Sequence, residues 1–125
     1  MVDVPCGDFA WMQYLRADVH YIGGDVIPEL VEANDRRWGG PQRRFETIDL
    51  ITGDLPEGDL LLCRDCLVHL SYDDALAALR NIGRSRCRWL LTTTFPGSFS
   101  TGPRGPRMRP PSPPGLSAVR PERST

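Results

Sequence analysis

The sequence predicts an α/β fold in which one domain is built on an open, mainly parallel sheet with helices on both faces. Short apolar runs alternate with amphipathic segments over residues 1–97, in the order strand, helix, strand, helix, strand, strand, helix, strand. A glycine turn follows the first apolar run and a carboxylate ends the second, which is typical of nucleoside-binding α/β folds. Short right-handed crossovers are the economical way to connect such strands.

The composition of the 125-residue chain is ordinary for one globular domain, with 40% hydrophobic and 25% charged residues. All fifteen basic residues are arginines, and they are scattered rather than gathered on one face, which argues against nucleic acid as a partner. No apolar stretch approaches the ~18 residues of a membrane span, and no signal peptide is recognisable. We therefore predict a cytoplasmic protein with no membrane partner; the sequence is silent on its oligomeric state.

The first element is a short strand that leads into a tight turn. Val2 and Val4 suit a buried strand, and Pro5 stops it. Gly7 lacks a Cβ, so the backbone can turn sharply there and a ligand can approach the main chain. The largely apolar residues 9–15 predict a short helix whose first N–H groups face the turn.

The second strand, over residues 21–25, ends in a carboxylate. Asp25 stands about 20 residues after the glycine turn, where a nucleoside-binding fold places an acid that accepts hydrogen bonds from ribose hydroxyls. An amphipathic helix follows over residues 27–38, with Pro28 in its first turn. Residues 44–50 alternate like an edge strand and place Asp49 at its carboxyl end.

A continuous apolar run over residues 59–63 predicts a strand that is covered on both faces. Ser71 then begins a helix as its N-cap, and Gly83 ends that helix as a C-cap. The predicted buried stripe of this helix consists of Ala75, Leu76, Leu79 and Ile82. Residues 88–95 are rich in β-forming side chains and predict a last strand, which closes at Pro96.

The four cysteines are predicted to be reduced thiols with a structural role, because no secretory signal accompanies them. Cys63 and Cys66 have CxxC spacing. A zinc site would need two further ligands with matching spacing, and neither Cys6, Cys87 nor the two histidines supply them. We therefore predict no metal.

The end of the first strand and the glycine turn after it carry a family resemblance. Residues 3–9 and Asp25 resemble the first two motifs of class I S-adenosylmethionine-dependent methyltransferases, and the resemblance extends to about Pro96. The segment reads Asp3, Val4, Pro5, Cys6, Gly7, Asp8 and Phe9. It departs from the family at Pro5 and Phe9, which stand where glycines are usual. The resemblance implies a Rossmann-like sheet ordered 3-2-1-4-5 and methyl transfer from S-adenosylmethionine to a small-molecule acceptor.

The resemblance also implies roles for individual residues. Gly7 would let the backbone approach the methionine part of the cofactor, Asp25 would hold the ribose, and Asp49 would lie near the adenine amino group. Asp65 and His69 would lie beside the acceptor and orient or deprotonate it, which makes them the candidate catalytic residues. The candidate cofactor contacts are Asp3, Pro5, Cys6, Gly7, Asp8, Asp25, Val26, Asp49, Leu50, Arg64 and Asp65.

Alternatives remain open at this point. Asp49 is equally a surface turn acid, Asp65 could pair with Arg64 or cap the next turn, and His69 could be a satisfied core histidine. For the whole chain, the same strand, turn and ribose acid would serve an NAD(P)-dependent oxidoreductase. A non-catalytic remnant or binding module is the third interpretation.

The two ends of the chain depart from the family pattern. Only two residues precede Asp3, so we expect a core that lacks the family's N-terminal helix and, at the sheet's C-terminal edge, its closing strands. Residues 101–125 hold seven of the twelve prolines, no aromatic residue and no apolar period, so we predict a disordered tail over 98–125. The abrupt change is typical of a frameshift in GC-rich DNA; a genuine proline-rich linker or groove ligand is the alternative.

Overall fold

The computed structural model describes residues 1–15 and 18–94, which form one five-stranded parallel sheet. The strands are β1 (Val2–Asp3), β2 (Tyr21–Asp25), β3 (Arg43–Thr47), β4 (Gly58–Cys63) and β5 (Cys87–Thr92). Their spatial order is β3-β2-β1-β4-β5. This confirms the predicted α/β class and the order 3-2-1-4-5. The prediction of a disordered tail over 98–125 falls outside the described residues.

The first strand is short, but its backbone pairing continues beyond its assigned end. Val2 pairs with Ile22 on one side and Leu61 on the other. The Val4 N–H then donates to the Leu62 carbonyl at 3.0 Å, and the Cys6 N–H donates to the Gly24 carbonyl at 2.8 Å. The chain after β1 is therefore held between β2 and β4 as far as the glycine turn.

The two helices cover opposite faces of the sheet, as predicted. Side chains alternate across each strand, so β4 contributes Leu62 to one face and Leu61 and Cys63 to the other. Helix α1 (Pro28–Trp38) covers the first face and helix α2 (Tyr72–Arg84) the second. The core under α1 consists of Cys6, Phe9, Met12, Tyr21, Val31, Phe45 and Leu62. The core under α2 consists of Val2, Val4, Ile48, Leu50, Leu61, Cys63, Ala78 and Ile82.

Helix α2 begins as predicted but ends and packs differently. The Asp74 N–H donates to the Ser71 hydroxyl at 3.1 Å, which confirms the N-cap. Gly83 is not the C-cap, because the helix runs to Arg84 and the Ser85 hydroxyl donates to the Ile82 carbonyl at 2.7 Å. Leu79 is 40% exposed, since Ala78 and Ile82 lie at the centre of the buried face.

The helix predicted over residues 9–15 does not form, and only a short 3-10 turn is present at Met12–Tyr14. Phe9 takes a left-handed backbone conformation with φ of 62°, and its ring is buried. A residue in that conformation cannot start a right-handed helix. The expectation that helical N–H groups face the glycine turn is therefore wrong.

No helix within residues 1–15 and 18–94 combines the length and apolar character that a membrane crossing requires.

Candidate functional site

The candidate site lies where the carboxyl ends of β1, β2 and β4 meet. In the order β3-β2-β1-β4-β5, the chain leaves β1 towards β2 and continues from β4 towards β5, so the connections diverge between β1 and β4. In open α/β sheets, ligands bind at such a switch point, outside the carboxyl ends of the strands. Most of the predicted site residues lie at or directly after these strand ends, and Asp49 and Leu50 follow β3.

The glycine turn after β1 is fixed from two directions. Gly7 has φ of 58°, and a Cβ added to it would meet no atom within 4 Å. Its N–H donates to Asp25 Oδ2 at 3.2 Å, and its carbonyl accepts from Asn34 Nδ2 at 2.7 Å. Two hydrogen bonds therefore hold the turn, and open space lies beside the Gly7 backbone.

Asp25 is a buried carboxylate at the end of β2, and both of its oxygens are engaged. Oδ2 accepts the Gly7 N–H, and Oδ1 accepts the Ile27 N–H at 3.2 Å. Because each carboxylate oxygen can accept about two hydrogen bonds, each retains one acceptor position. Asp25 thus joins the glycine turn after β1 to the turn after β2.

Asp3 is also buried, at the end of β1, and it interacts with β2. The Tyr21 hydroxyl donates to Asp3 Oδ2 at 2.6 Å. Burial raises the pKa of Asp3 from 3.8 to about 6, although the Tyr21 hydrogen bond and the Arg64 charge lower it. Burial, together with the charges of Asp3 and Asp25, raises the pKa of the neighbouring Cys6 to about 12, so that thiol stays neutral.

Phe9 and Asp8 shape the chain beyond the turn. The Phe9 ring packs edge-on against two other rings: its centroid lies 5.1 Å from that of Tyr21 and 5.3 Å from that of Phe45. Asp8 is exposed and Oδ1 accepts the Ala10 N–H at 2.9 Å, while Pro5 is half-buried. The positive φ of Phe9 costs about 1–2 kcal/mol, which burial of its ring can offset.

The two predicted site residues after β3 lie in different environments. Asp49 is exposed, and its carboxylate accepts the Ile51 N–H at 2.8 Å and the Thr52 hydroxyl at 2.9 Å. The Ile51 hydrogen bond chiefly lowers the pKa of Asp49, which remains ionised. Leu50 points into the core under α2 instead. Val26, directly after Asp25, is exposed on the surface.

The candidate catalytic residues Asp65 and His69 follow β4 and are exposed. Asp65 has φ of 50°, its N–H donates to the Thr93 hydroxyl at 2.8 Å, and its carboxylate lies 3.6 Å from Arg64 Nη1. The Arg64 guanidinium also stacks 4.4 Å above the Trp11 ring. His69 is exposed at the end of a 3-10 turn, so the alternative of a core histidine is wrong. The alternative pairing of Asp65 with Arg64 is present.

Two surface hollows lie away from this edge of the sheet. One, of about 480 Å³, is lined by residues around Leu55 and Asn81; the other, of about 490 Å³, lies near Trp38 and Pro41. Both are at the amino ends of the strands, opposite the predicted site residues. Within the described ranges, no group of three or more His, Cys, Asp or Glu could hold a metal ion.

Sequence reasoning missed three residues that build the site. Asn34, one turn along α1 from Val31, fixes the carbonyl of Gly7, and its position on the buried face of an amphipathic helix was the available signal. Tyr21 shares a strand face with Asp25 by simple alternation and binds Asp3. Nothing in the sequence pattern indicates that Trp11 stacks on Arg64.

Known proteins match this chain through structure. A TehB-like SAM-dependent methyltransferase from Corynebacterium glutamicum ATCC 13032 Kitasato matches with a TM-score of 0.62 and 23% identity, over 78% of this chain and 55% of that one. CalS10, an amino pentose methyltransferase from Micromonospora echinaspora, matches at 0.60 and 22%, over 78% and 44%. The [4+2]-cyclase SpnF matches at 0.58 and 19%, over 69% and 34%. No family model and no curated protein sequence matches this chain.

The chain has the fold of class I methyltransferases. It spans between 34% and 55% of the length of these three proteins. One of them is a cyclase, so the methyltransferase fold does not by itself determine the reaction.

The structure gives a local conformation to the two residues that the family resemblance sets at glycine positions. Pro5 stands directly before the Cys6 N–H that bonds to β2. Phe9 adopts the left-handed conformation that a glycine takes easily.

Proposed function

We propose that this chain binds S-adenosylmethionine at the carboxyl edge of its sheet and serves methyl transfer to a small-molecule acceptor. The single observation that supports this most is the buried Asp25 carboxylate, which is fixed by the Gly7 and Ile27 N–H groups and retains free acceptor positions. The methyltransferase fold supports the choice of cofactor.

Each side of the proposed cofactor has candidate partners. Asp25 accepts the ribose hydroxyls, and the exposed Val26 beside it offers apolar surface to the adenine. Asp49 keeps an ionised carboxylate near the adenine end. The open space at Gly7 admits the methionine part, next to Asp3, Cys6 and Asp8.

S-adenosylmethionine supplies a methyl group that its own positive sulfonium already activates, so the protein has mainly to align donor and acceptor. Asp65 and His69 are exposed at the end of β4, where either can orient an acceptor or accept its proton. Arg64 is shared between Trp11 and Asp65 in this structure, so an acceptor or the cofactor carboxylate would compete for its charge. The CalS10 match, to an amino pentose methyltransferase, supports a small-molecule acceptor.

The proposal is tested by isothermal titration of the chain with S-adenosylhomocysteine. Replacing Asp25 by Ala removes charge-assisted hydrogen bonds and is expected to weaken binding by about 2–4 kcal/mol, or roughly 30- to 1000-fold. Asp59→Ala is the matched control, because Asp59 is an exposed acid near the amino end of β4.

Circular dichroism and a melting curve establish that each variant is folded. Equal affinities for the folded Asp25→Ala variant and the parent chain would refute the ribose role. Titration with NAD tests the oxidoreductase alternative, and tighter binding of NAD than of S-adenosylhomocysteine would favour that reading. Transfer of a labelled methyl group into a metabolite extract tests the small-molecule acceptor.

A further inference from the structure

The contact between Trp11 and Arg64 joins two segments that leave the sheet at different strands. Trp11 lies in the chain after β1, directly before the 3-10 turn Met12–Tyr14, and Arg64 directly follows β4. The guanidinium carbon of Arg64 lies over the Trp11 ring, 4.4 Å from its centroid, in the arrangement of a cation–π contact. The stack therefore bridges the point between β1 and β4 where the connections diverge.

Each partner of this stack belongs to a segment that is held by contacts of its own. On one side, the Met12 side chain next to Trp11 is buried in the core under α1. On the other side, the Asp65 N–H donates to the Thr93 hydroxyl at 2.8 Å, which holds the backbone next to Arg64. The ring is thus presented to the guanidinium by the fold itself, while 40% of the Trp11 surface stays exposed.

The charges around the stack indicate what Arg64 could bind. The candidate cofactor contacts include one basic residue, Arg64, and the carboxylates Asp3, Asp8, Asp25, Asp49 and Asp65. Burial raises the pKa of Asp3 and the Arg64 charge counteracts this, so Arg64 already acts on one of these acids. A further carboxylate, on the methionine part of the proposed cofactor, would be repelled by the acids unless a cation lies within reach. Arg64 is the cation that the site offers for it.

The present partners of Arg64 leave it available to such a carboxylate. A guanidinium that lies over an aromatic face keeps N–H donors at its edge for carboxylate oxygens. Arg64 Nη1 lies 3.6 Å from Asp65 Oδ2, and both side chains are nearly half exposed, so this ion pair is weak and a ligand can replace it. The stack on Trp11 can persist while the partner at the edge is exchanged.

We propose that Trp11 is a positioning residue for cofactor binding: its ring holds the Arg64 guanidinium at the switch point, where Arg64 binds the carboxylate of the methionine part. The inference rests on the proposed function, because it assigns one contact of that cofactor and the residue that prepares it. Trp11 acts through Arg64. By restricting the Arg64 side chain before the ligand arrives, the ring lowers the conformational entropy that binding costs.

Two ligands that differ in the carboxylate alone can isolate this effect. S-adenosylhomocysteine carries the carboxylate, and its decarboxylated analogue keeps every other group. In isothermal titration, Arg64→Gln should weaken binding of S-adenosylhomocysteine about 10- to 100-fold, and Trp11→Ala should weaken it about 2- to 6-fold. Both variants should leave the affinity for the decarboxylated analogue nearly unchanged, which a merely structural role of Trp11 does not predict.

Three further variants separate positioning from packing. Trp11→Phe keeps an aromatic face and should recover most of the lost affinity. In an Arg64→Gln background, Trp11→Ala should have no further effect, because its action passes through the missing guanidinium. Trp89→Ala is the matched control: it removes the exposed ring over which Arg88 lies at 5.9 Å and should leave both affinities unchanged.

The inference and the proposed function fail in different ways. Asp25→Ala should weaken both ligands, and a parent chain that binds neither would refute the proposed function together with the inference. If the parent chain binds S-adenosylhomocysteine but Trp11→Ala leaves that affinity unchanged, or weakens both ligands equally, the inference alone is overturned. Proton NMR checks the stack without a ligand: the indole ring current should shift the Arg64 Hδ resonances upfield, and an equal shift in Trp11→Ala would also overturn the inference.

Discussion

Strands β2 and β5 lie on opposite sides of β1 in the strand order of the sheet. The burial of their residues is the reverse of what their amino acids suggest. Four of the five residues of β2 are buried, although that strand reads Tyr-Ile-Gly-Gly-Asp. No residue of β5 is buried, although it carries Trp89, Leu90 and Leu91. The apolar content of these two strands therefore does not predict which one lies in the core.

The neighbours of each strand explain the difference. β2 lies between β1 and β3 and beneath α1, and its glycines admit close contact, since a Cβ at Gly23 would lie 2.7 Å from the Phe45 ring. β5 has only β4 as a paired strand within residues 1–15 and 18–94, and Trp89 and Leu91 stay 64% and 57% exposed. The half of the sheet around β2, here called the buried half, carries the Gly7 and Asp25 turns. The half that ends in β5, here called the exposed half, presents an apolar edge.

The largest effect should come from Phe9, at the centre of the buried half. Phe9→Ala empties a packed aromatic site and should lower the free energy of unfolding by about 3–5 kcal/mol in urea titrations. Phe9→Gly should cost about 1 kcal/mol less than Phe9→Ala, because glycine accepts the positive φ without strain.

The exposed half provides the control for this prediction. Trp89→Ala removes a larger ring, yet it should cost less than about 1 kcal/mol, because the side chain is already in water. An equal cost for Trp89→Ala and Phe9→Ala would remove the contrast between the two halves.

A smaller effect, and one that depends on pH, is expected at Asp3. Its folded pKa of about 6 lies above the ordinary 3.8, so its contribution to stability is complete below about pH 4 and is lost as the pH rises through about 6. Asp3→Asn keeps an acceptor for Tyr21 and removes the buried charge. The gain in the free energy of unfolding from Asp3→Asn should therefore be about 1–3 kcal/mol larger at pH 8 than at pH 4.

Melting curves of the parent chain and Asp3→Asn at the two pH values measure this difference. Asp59→Asn is the control, since that exposed acid should show little change with pH. A gain from Asp3→Asn that is the same at pH 4 and pH 8 would contradict the assignment.

The smallest effect on stability, and the clearest effect on association, is expected at the exposed edge. Leu91→Lys should change the free energy of unfolding by less than about 1 kcal/mol, because Leu91 is mostly exposed. A charge on an edge strand opposes pairing between chains, so sedimentation should show less self-association than in the parent chain. Thr47→Lys adds the same charge on β3, the opposite edge, and should leave the association unchanged.

The sequence by itself determined the elements whose signals are local. Alternation over residues 44–50 places β3, a continuous apolar run places β4, and amphipathic patterns place α1 and α2. Ser71 caps α2 through a hydrogen bond only three residues away. Gly7 and Asp25 could be singled out as candidates because a strand end followed by a glycine turn or an acid is itself a short-range pattern.

Only the tertiary structure decided the features that depend on partners distant in sequence. Phe9 could not be recognised as left-handed, because its conformation is held by packing against Tyr21 and Phe45, and local propensity favoured a helix there. The Asn34 bond to Gly7 spans 27 residues and the Asp65 bond to Thr93 spans 28. The exposure of β5 was likewise set by which elements pack beside it, because burial is a property of neighbours in space rather than of the residue.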